Sequence, residues 1–508
     1  MVKREAIITA VLLGLGLALT GAVMGAEIGQ GGRPLADRES DYYQIVTLPT
    51  PAGVQFEAGG LQVIEPDSLA CSTRIGEIWI GKGALTKPTE TKWTLFESGL
   101  HEVLSLAWRD GWIYALQRGE LTRLKDTNGD GRADKVETVC DGWGINGDYH
   151  EYIFGSKFDH EGNMWLALTL TGSFSSQSPY RGWGLRVNAN GTMTPTASGV
   201  RSAGGIGLNA AGDCFYTDNQ GPWNGACKLQ WLKPGSFVGH PDGIRWFDDP
   251  ATKDAVAAAG LKKPAAPKDG SRQHEEARRI PELVLPAVYF PYPKMGQSAS
   301  GVACDMSQGK FGPFKEQLFV GDQTHSTVMR VFLEMIEGQY QGACFLFREG
   351  FGSGNLALEF AGDGSMFVFG TDRGWGARGG KPFALQRLSW TGKVPFEIHE
   401  MKAMPDGFEF SFTQPIDAGS ATKLEAYSIE SYTYIYQSNY GSPQVDQTVP
   451  KIKEVEVSAD RTRARLIIEG LVAGHVHELH LPGVRSTSGE PLLHDAAYYT
   501  LNKIPAKN

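Results

Sequence analysis

The sequence predicts an all-β protein, a six-bladed β-propeller followed by a small β-sandwich of the immunoglobulin-like kind. Three observations carry this expectation. A phrase of the form Gly-polar-apolar-aromatic returns six times, as GEIWI (76–80), GWIYA (111–115), GNMWL (162–166), GDCFY (212–216), EQLFV (316–320, with Glu replacing Gly) and GSMFV (364–368). Its aromatic position is filled by Trp79, Tyr114, Trp165, Phe215, Phe319 and Phe367. A turn glycine followed by β-formers reads as strand, and repeats at roughly 35–50 residues mark propellers and solenoids. The 508-residue chain also holds 64 Gly and 12 Trp, which suits turn-rich β structure and fits a helical protein poorly.

Taken in chain order, residues 1–26 read as a targeting segment. Met1-Val2-Lys3-Arg4 is followed by an uncharged apolar run from Ala6 to Ala26, the order of a secretory signal peptide. The run is also long enough to serve as an uncleaved membrane anchor over residues 6–26. Both readings place the protein outside the cytoplasm, in a periplasmic or extracellular setting. Residues 27–42 are polar and read as a flexible lead.

The propeller is expected over 43–403. One blade can be read whole: LSLAW (104–108), WIYALQ (112–117), ELTRLK (120–125) and KVETV (135–139) are its four strands. In such a blade the loops after the second and fourth strands share one face and ring the central channel. The interval between the fourth and fifth repeats is twice the usual one. Its stretch 248–280 is rich in Ala, Lys and Pro and reads as a surface insertion with a short helix at 253–261, or as the cover of a seventh blade. From 404 to 508 the pattern changes. FEFSF (408–412), RARLIIEGL (463–471) and HELHL (477–481) read as strands of a β-sandwich with a spacer or docking role.

The net charge of −9 argues against nucleic acid or an anionic membrane surface as a general partner. The six cysteines form no CxxC or CxxCH, so zinc ribbons and covalent haem are not indicated. Cys214 and Cys227 flank one expected hairpin. Symmetric pairing would set them opposite each other as a disulfide, and buried free thiols are the other reading.

The strongest local motif is Asp126-Thr-Asn128-Gly-Asp130-Gly131-Arg132-Ala-Asp134-Lys-Val-Glu137. Side-chain oxygens fall at positions 1, 3, 5, 9 and 12, Gly131 sits at the sharp turn, and the Arg132 carbonyl would serve position 7. That is the twelve-residue calcium loop. Strands flank it here, so the expected role of Ca²⁺ is structural; an unmetallated Asp/Gly turn is the alternative.

The topology also names a candidate face. After second strands come Asp218 to Trp223, Asp322 to His325, and Asp372-Arg373-Gly374-Trp375. After fourth strands come Asn146 to Glu151, Gly199 to Ser202, and Gly350 to Gly352. Carboxylates, arginines and His150 therefore converge from different blades, and an imidazole there is suited to move a proton near neutral pH. The plain alternative is that these Asp residues cap turns.

Within this face, GVRSAGGIGLNAAGDCFYTDNQGPWNGACKLQWLKPGSFVGHPDG (199–243) resembles the matching blade of soluble quinoprotein glucose and sorbosone dehydrogenases. The resemblance implies a cofactor contact for Arg201, an acidic strand end at Asp218, and Gly221-Pro222 carbonyls near a cofactor calcium. YHEYIFGSKFDHEGNMWLAL (149–168) extends it and implies that His150 is the general base that takes a proton from a sugar or polyol hydroxyl. The cofactor implied is pyrroloquinoline quinone, with Arg373 and Arg378 as candidate clamps on its carboxylates and a separate electron acceptor as partner. The whole of residues 43–401 also resembles exported domains of the bacterial membrane-bound dehydrogenase type, through TRIGEIWIGKG (73–83), RGELTRLKDTNGDGRADKVE (118–137) and TDNQG (217–221). Ser202 stands where the quinoprotein glucose and sorbosone dehydrogenases have Asn, and Trp223-Asn224-Gly225 replaces their acidic pair.

Two other functions remain open from sequence. One is a metal-dependent lactonase or lyase, with Asp218, Asp322, Asp372 and His325 as ligands. The other is a non-catalytic propeller that binds carbohydrate or protein, with Trp183, Trp223 and Trp375 as stacking surfaces.

Overall fold

The computed structural model describes residues 33–507, so the expected targeting segment lies outside the described residues. Within them the protein is all-β and propeller-like, built mainly from four-stranded antiparallel sheets. The first comprises Ala58–Ile64, Ser68–Thr73, Ile78–Lys82 and Lys92–Glu97; the second, Ser105–Arg109, Trp112–Leu116, Leu121–Lys125 and Lys135–Cys140. The third comprises Ile153–Phe158, Asn163–Leu168, Trp183–Asn188 and Met193–Ser198; the fourth, Ala203–Leu208, Cys214–Asp218, Cys227–Trp231 and Val288–Phe290. The fifth begins with Ala299–Cys304, Leu318–Asp322, Thr327–Ile336 and Gln339–Arg348. The sixth joins Asn355–Phe360, Met366–Thr371 and Phe383–Trp390 to the N-terminal strand Tyr43–Thr47.

The leading strands of successive sheets pack side by side, and Asn355–Phe360 returns to Ala58–Ile64, so the ring closes. All six leading strands line a central channel with a cavity of about 250 Å³. Between sheets, the repeated aromatics Tyr114, Trp165, Phe215, Phe319 and Phe367 are buried, which explains their recurrence at one place on the second strand. GEIWI is the exception. It falls on the third strand of its sheet, where Trp79 faces Cys71, and the true second strand, Ser68–Thr73, carries no aromatic.

The interval 241–287 holds a 3₁₀ segment, Pro241–Phe247, and two helices, Lys253–Ala258 and Gln273–Arg279, before the fourth sheet is completed. The first helix was expected; the second was not. Cys214 and Cys227 are free thiols. The hairpin pairs Phe215 with Trp231 and Asp218 with Lys228, so the two cysteines sit at opposite ends of it and a disulfide is excluded.

The C-terminal strands are not a detached module. Ala496–Leu501 pairs with Gln339–Arg348, and His475–His480, Ser428–Tyr434 and Gln444–Thr448 extend the fifth sheet outward. A second sheet, Ile398–Met404, Gly407–Phe412, Arg463–Glu469 and Lys451–Val457, shares a core with it that includes Phe332 and Phe345. Ile398–Met404 belongs to this sheet, so the strand straddles the expected boundary at 403/404.

The described part of the expected flexible lead is pinned. Helix Leu35–Glu39 delivers Glu39 to a buried network. Glu39 accepts from Arg348 at 2.8 Å and faces His494 Nε2 at 2.9 Å, while His494 Nδ1 meets Glu397 at 2.6 Å. Burial opposes charge on His494, yet Glu397 and Glu39 outweigh it and raise the imidazole to about 10. Burial likewise works to raise Glu39, but His494 and Arg348 hold it below its ordinary value.

These signs set a pH dependence. The His494 contribution is complete below its ordinary value of 6.5 and is lost as pH rises through about 10. The Glu39 contribution is present above its ordinary value of 4.5 and is lost on acidification. His494→Ala leaves two buried carboxylates facing each other and is expected to cost about 3–5 kcal/mol at neutral pH. Denaturant titration at pH 7 and pH 10 checks this: the difference between wild type and variant shrinks at the higher pH.

Candidate functional site

The loops after the second and fourth strands meet on one face, and His150 is set there between the second and third sheets. Its backbone N–H donates to Asp148 Oδ1 at 2.8 Å, which fixes the loop. The ring Nδ1 lies 2.8 Å from the Leu170 carbonyl and Nε2 lies 3.0 Å from Ser202 Oγ. A carbonyl only accepts, so the ring proton resides on Nδ1 and Nε2 presents its lone pair to the Ser202 hydroxyl. Burial lowers His150 to about 4, with the Arg201 charge acting in the same direction. The imidazole is therefore neutral at physiological pH.

Asp218 organises the neighbouring loop. Its Oδ1 accepts from Ser202 N at 2.8 Å, and Oδ2 accepts from Arg201 N at 3.3 Å and Tyr216 OH at 3.1 Å. It works as a turn cap. Arg201 is buried, with Nη1 donating to the carbonyls of Asn219 (3.0 Å) and Gln220 (2.8 Å) and Nη2 donating to Ser173 Oγ. Tyr440, from the C-terminal unit, covers it with its ring centroid 5.3 Å away. Gly221 allows this placement: an ideal Cβ there would lie 1.9 Å from Arg201 Cζ.

The segment 437–442 of the C-terminal unit is stitched to the same corner. Gly441 N donates to Gly221 O at 3.0 Å, Trp223 N donates to Gln437 O at 2.6 Å, and Pro222 bridges to Tyr440. Arg201, Gly221 and Pro222 thus meet as the resemblance implies, but their polar groups are engaged with protein. Arg373 stands apart on the rim, half-exposed and paired with Glu57 at 2.8 Å, and Arg378 is exposed beside it. As arranged, these residues fit a planar quinone tricarboxylate poorly: both Arg201 Nη atoms and the Gly221 carbonyl already have protein partners, and among the described residues only the buried Arg201 Nε lacks one.

The proposed metal-enzyme constellation does not assemble. Asp322 caps Gln297, Ser298 and His325 backbone N–H groups, as Asp218 caps its own loop. Asp372 remains near the rim. No group of three or more His, Cys, Asp or Glu able to hold a metal occurs among the described residues. Of the three tryptophans expected as stacking surfaces, Trp183 is fully buried and donates to Gly243 O, and Trp223 packs edge-on against Tyr436. Only Trp375 is largely exposed.

The candidate calcium loop forms a tight turn between two strands. Asp126 accepts from Gly129 N and Gly131 N, Asn128 from Asp130 N, and Asp130 from Arg132 N, while Asp134 accepts from Thr127. Glu137 is turned away: Arg123 holds Oε2 at 2.7 Å and Lys135 holds Oε1 at 2.8 Å. The closing bidentate ligand of the pattern is therefore withdrawn, because Glu137 lies on a strand whose cross-strand neighbour is Arg123.

Sequence reasoning missed two groups on this face. Glu102 bridges the half-buried Arg74 and the buried Arg118, whose guanidinium carbons lie 5.0 Å from the Tyr152 ring centroid. Tyr149 and Phe174 on these loops, and Tyr440 from the C-terminal unit, are each more than half exposed and join the expected Trp375. Beside the first two lies a cleft of about 530 Å³, lined by Asn146, Asp148, Thr171, Phe174, Ser175 and Gln177. Applying the loop rule to the first two sheets would have pointed to Arg74, Glu102 and Arg118.

The corner around Gly221 is directly testable. Gly221→Ala drives a methyl group into the Arg201 guanidinium and is expected to cost about 1–3 kcal/mol. Gly376→Ala, with nothing within 4 Å of its added carbon, is expected to be near neutral. Chemical denaturation of the two variants side by side checks the contrast.

Comparison with known proteins adds the following. A PQQ-bound aldose sugar dehydrogenase from Streptomyces coelicolor is 16% identical, with 68% of this chain and 98% of that chain covered and a TM-score of 0.47. A glucose dehydrogenase is 14% identical, with 69% and 100% covered and a TM-score of 0.49. The PQQ domain of pyranose dehydrogenase from Coprinopsis cinerea is 12% identical, with 68% and 97% covered and a TM-score of 0.46. No curated protein matches the chain. The family model described as a domain of unknown function, DUF7133, matches residues 89–342, half of the chain. The chain belongs to the DUF7133 family.

Proposed function

We propose that this protein is an exported six-bladed β-propeller, carrying an immunoglobulin-like β-sandwich, that binds a sugar or polyol on its loop face. The observation that carries the reading is the placement of its exposed aromatics. Phe174 lines the cleft beside Asp148, Tyr149 follows Asp148 in the chain, Tyr440 lies over Arg201 and Trp375 is exposed on the loop after Asp372. Apolar ring faces surrounding fixed polar groups suit a polyhydroxylated ligand, whose C–H faces stack while its hydroxyls hydrogen-bond. Calcium belongs to this reading as a structural ion on the turn, held by Asp126, Asn128, Asp130, Asp134 and the Arg132 carbonyl without Glu137.

A second reading, oxidation of the bound sugar, is favoured by one observation. His150 is neutral and directs its Nε2 lone pair at a hydroxyl, the state a general base requires. The engagement of Arg201 and Gly221 weighs against quinone in that role.

Calorimetric titration with a panel of mono- and oligosaccharides and polyols tests the first reading. At least one ligand is expected to bind, and Tyr149→Ala or Phe174→Ala to weaken it about 2- to 10-fold. A panel without binding would sink it. Incubation with pyrroloquinoline quinone, Ca²⁺ and an artificial electron acceptor separates the two readings. Turnover in wild type that is lost in His150→Gln would establish the second.

For the calcium turn, Ca²⁺ is expected to raise the melting temperature of wild type and of Glu137→Ala, but not of the Asp126→Ala/Asp130→Ala double variant. Equal melts with and without chelator in wild type would remove calcium from the reading.

A further inference from the structure

Behind Arg201, three segments distant in sequence bring unpaired hydrogen-bond donors together in the interior. Lys228, on the third strand of the fourth sheet, is 1% exposed, and its Nζ donates to a single acceptor among the described residues, Val238 O at 3.2 Å. Its cross-strand neighbour Asp218 does not neutralise it directly, because both Asp218 oxygens are taken by Ser202 N, Arg201 N and Tyr216 OH. His240 is 4% exposed; its Nδ1 accepts from Asp242 N, so the ring proton sits on Nε2, which has no partner. Gln273, on the helix Gln273–Arg279, is 8% exposed. Its Oε1 accepts from Tyr289 OH at 3.1 Å, which fixes the amide with Nε2 free, and Nε2 has no partner.

The Lys228 and Gln273 groups converge over the bare Cα of Gly239, the residue that precedes His240. An ideal Cβ there would lie 3.2 Å from Gln273 Nε2, 3.6 Å from Lys228 Nζ and 3.9 Å from Tyr436 OH. Tyr436 directs its own proton to Gly239 O. The place therefore offers N–H groups from an ammonium and an amide, with the unpaired imidazole of His240 on the next residue of the chain. Its fixed charges, Lys228 and Arg201 against Asp218, leave an excess of one positive charge. Buried donors without partners are costly, and a buried cation without a counter-ion more so. A cation is repelled here. A water molecule accepts from two donors but leaves the charge uncompensated.

We infer that Lys228, His240 and Gln273 form a buried binding site for a small monovalent inorganic anion of the chloride class. The enclosure by residues more than nine-tenths buried excludes a substrate carboxylate. The values of Lys228 and of His240 (about 3) are lowered chiefly by burial; at Lys228 the Asp218 charge opposes this and Arg201 adds to it, and at His240 Arg201 and Lys228 both add to it. An anion held here ties the fourth sheet through Lys228 to the insertion through Gln273, beside the Gly239 carbonyl that receives the Tyr436 proton from the C-terminal unit.

The test compares thermal melts of the full chain in sodium chloride and sodium gluconate at equal ionic strength. Wild type is expected to melt about 2 °C or more higher in chloride. Lys228→Met and Gln273→Leu are expected to lose that difference. Crystals of the wild-type protein grown in sodium bromide provide the independent readout should either variant fail to fold. An anomalous peak within hydrogen-bond reach of Lys228 Nζ supports the site. Equal melts of wild type in the two salts, or ordered water without anomalous signal at that place, overturns it.

Discussion

Everything on the loop face depends on one pairing, that of the strand Tyr43–Thr47 with Phe383–Trp390. The partners lie at opposite ends of the ring, with Tyr43 opposite Trp390 and Thr47 opposite Gln386. Without this pairing the sixth sheet ends in an open edge, and a free edge is both unsatisfied and sticky. With it, the leading strands enclose a channel and the loops of different sheets acquire fixed mutual positions. The entropy of closing so long a loop rises only with the logarithm of its length, so a few strong contacts suffice to hold it. Arg348 donates to the carbonyl of Tyr43 and to Glu39, so the residue that ends the fifth sheet also seats the closing strand. His494 brings the C-terminal unit into the same network.

The C-terminal unit is a second consequence of sheet edges. The outer strand Gln339–Arg348 would present an open edge, and Ala496–Leu501 pairs with it. The sheet then runs outward without interruption, and Phe332 and Phe345 enter the core of the added unit. That continuity gives the unit a fixed orientation. It also lays 437–442 across the corner at Gly221 and places Tyr436 against Gly239. A spacer reading of these residues does not account for such contacts.

What was legible in the sequence was what is local. The second sheet was read strand by strand, because its alternation and its turn glycines lie within a few residues of each other. GEIWI was misplaced for the same reason: a strand pattern does not say which strand of a sheet it fills. The cysteine pair failed on register, which the hairpin takes from Phe215–Trp231 and Asp218–Lys228 rather than from symmetry about its loop. The order of strands alone put His150 on the loop face, next to the loop of Ser202. Its partner Ser202 belongs to another sheet, and Tyr440 reaches Arg201 from a different structural unit, so neither contact was visible in any local motif.

Arg201 is held by protein on several sides. The guanidinium has three donors on two protein carbonyls and one hydroxyl, an aromatic ring over its face, and the bare backbone of Gly221 against it. Drawing it toward a solute would strip buried carbonyls of their donors and expose the packing of Tyr440, a cost that a single new ion contact does not return. Arg201 is therefore a structural pin for the corner between the fourth sheet and the C-terminal unit. His150 is under no such constraint. Its anchor is the Nδ1 proton on the Leu170 carbonyl, and the only group on Nε2 is a hydroxyl free to rotate. Of the two residues, His150 thus presents its Nε2 lone pair to a hydroxyl that can move, whereas the arginine beside it is held in place by the protein.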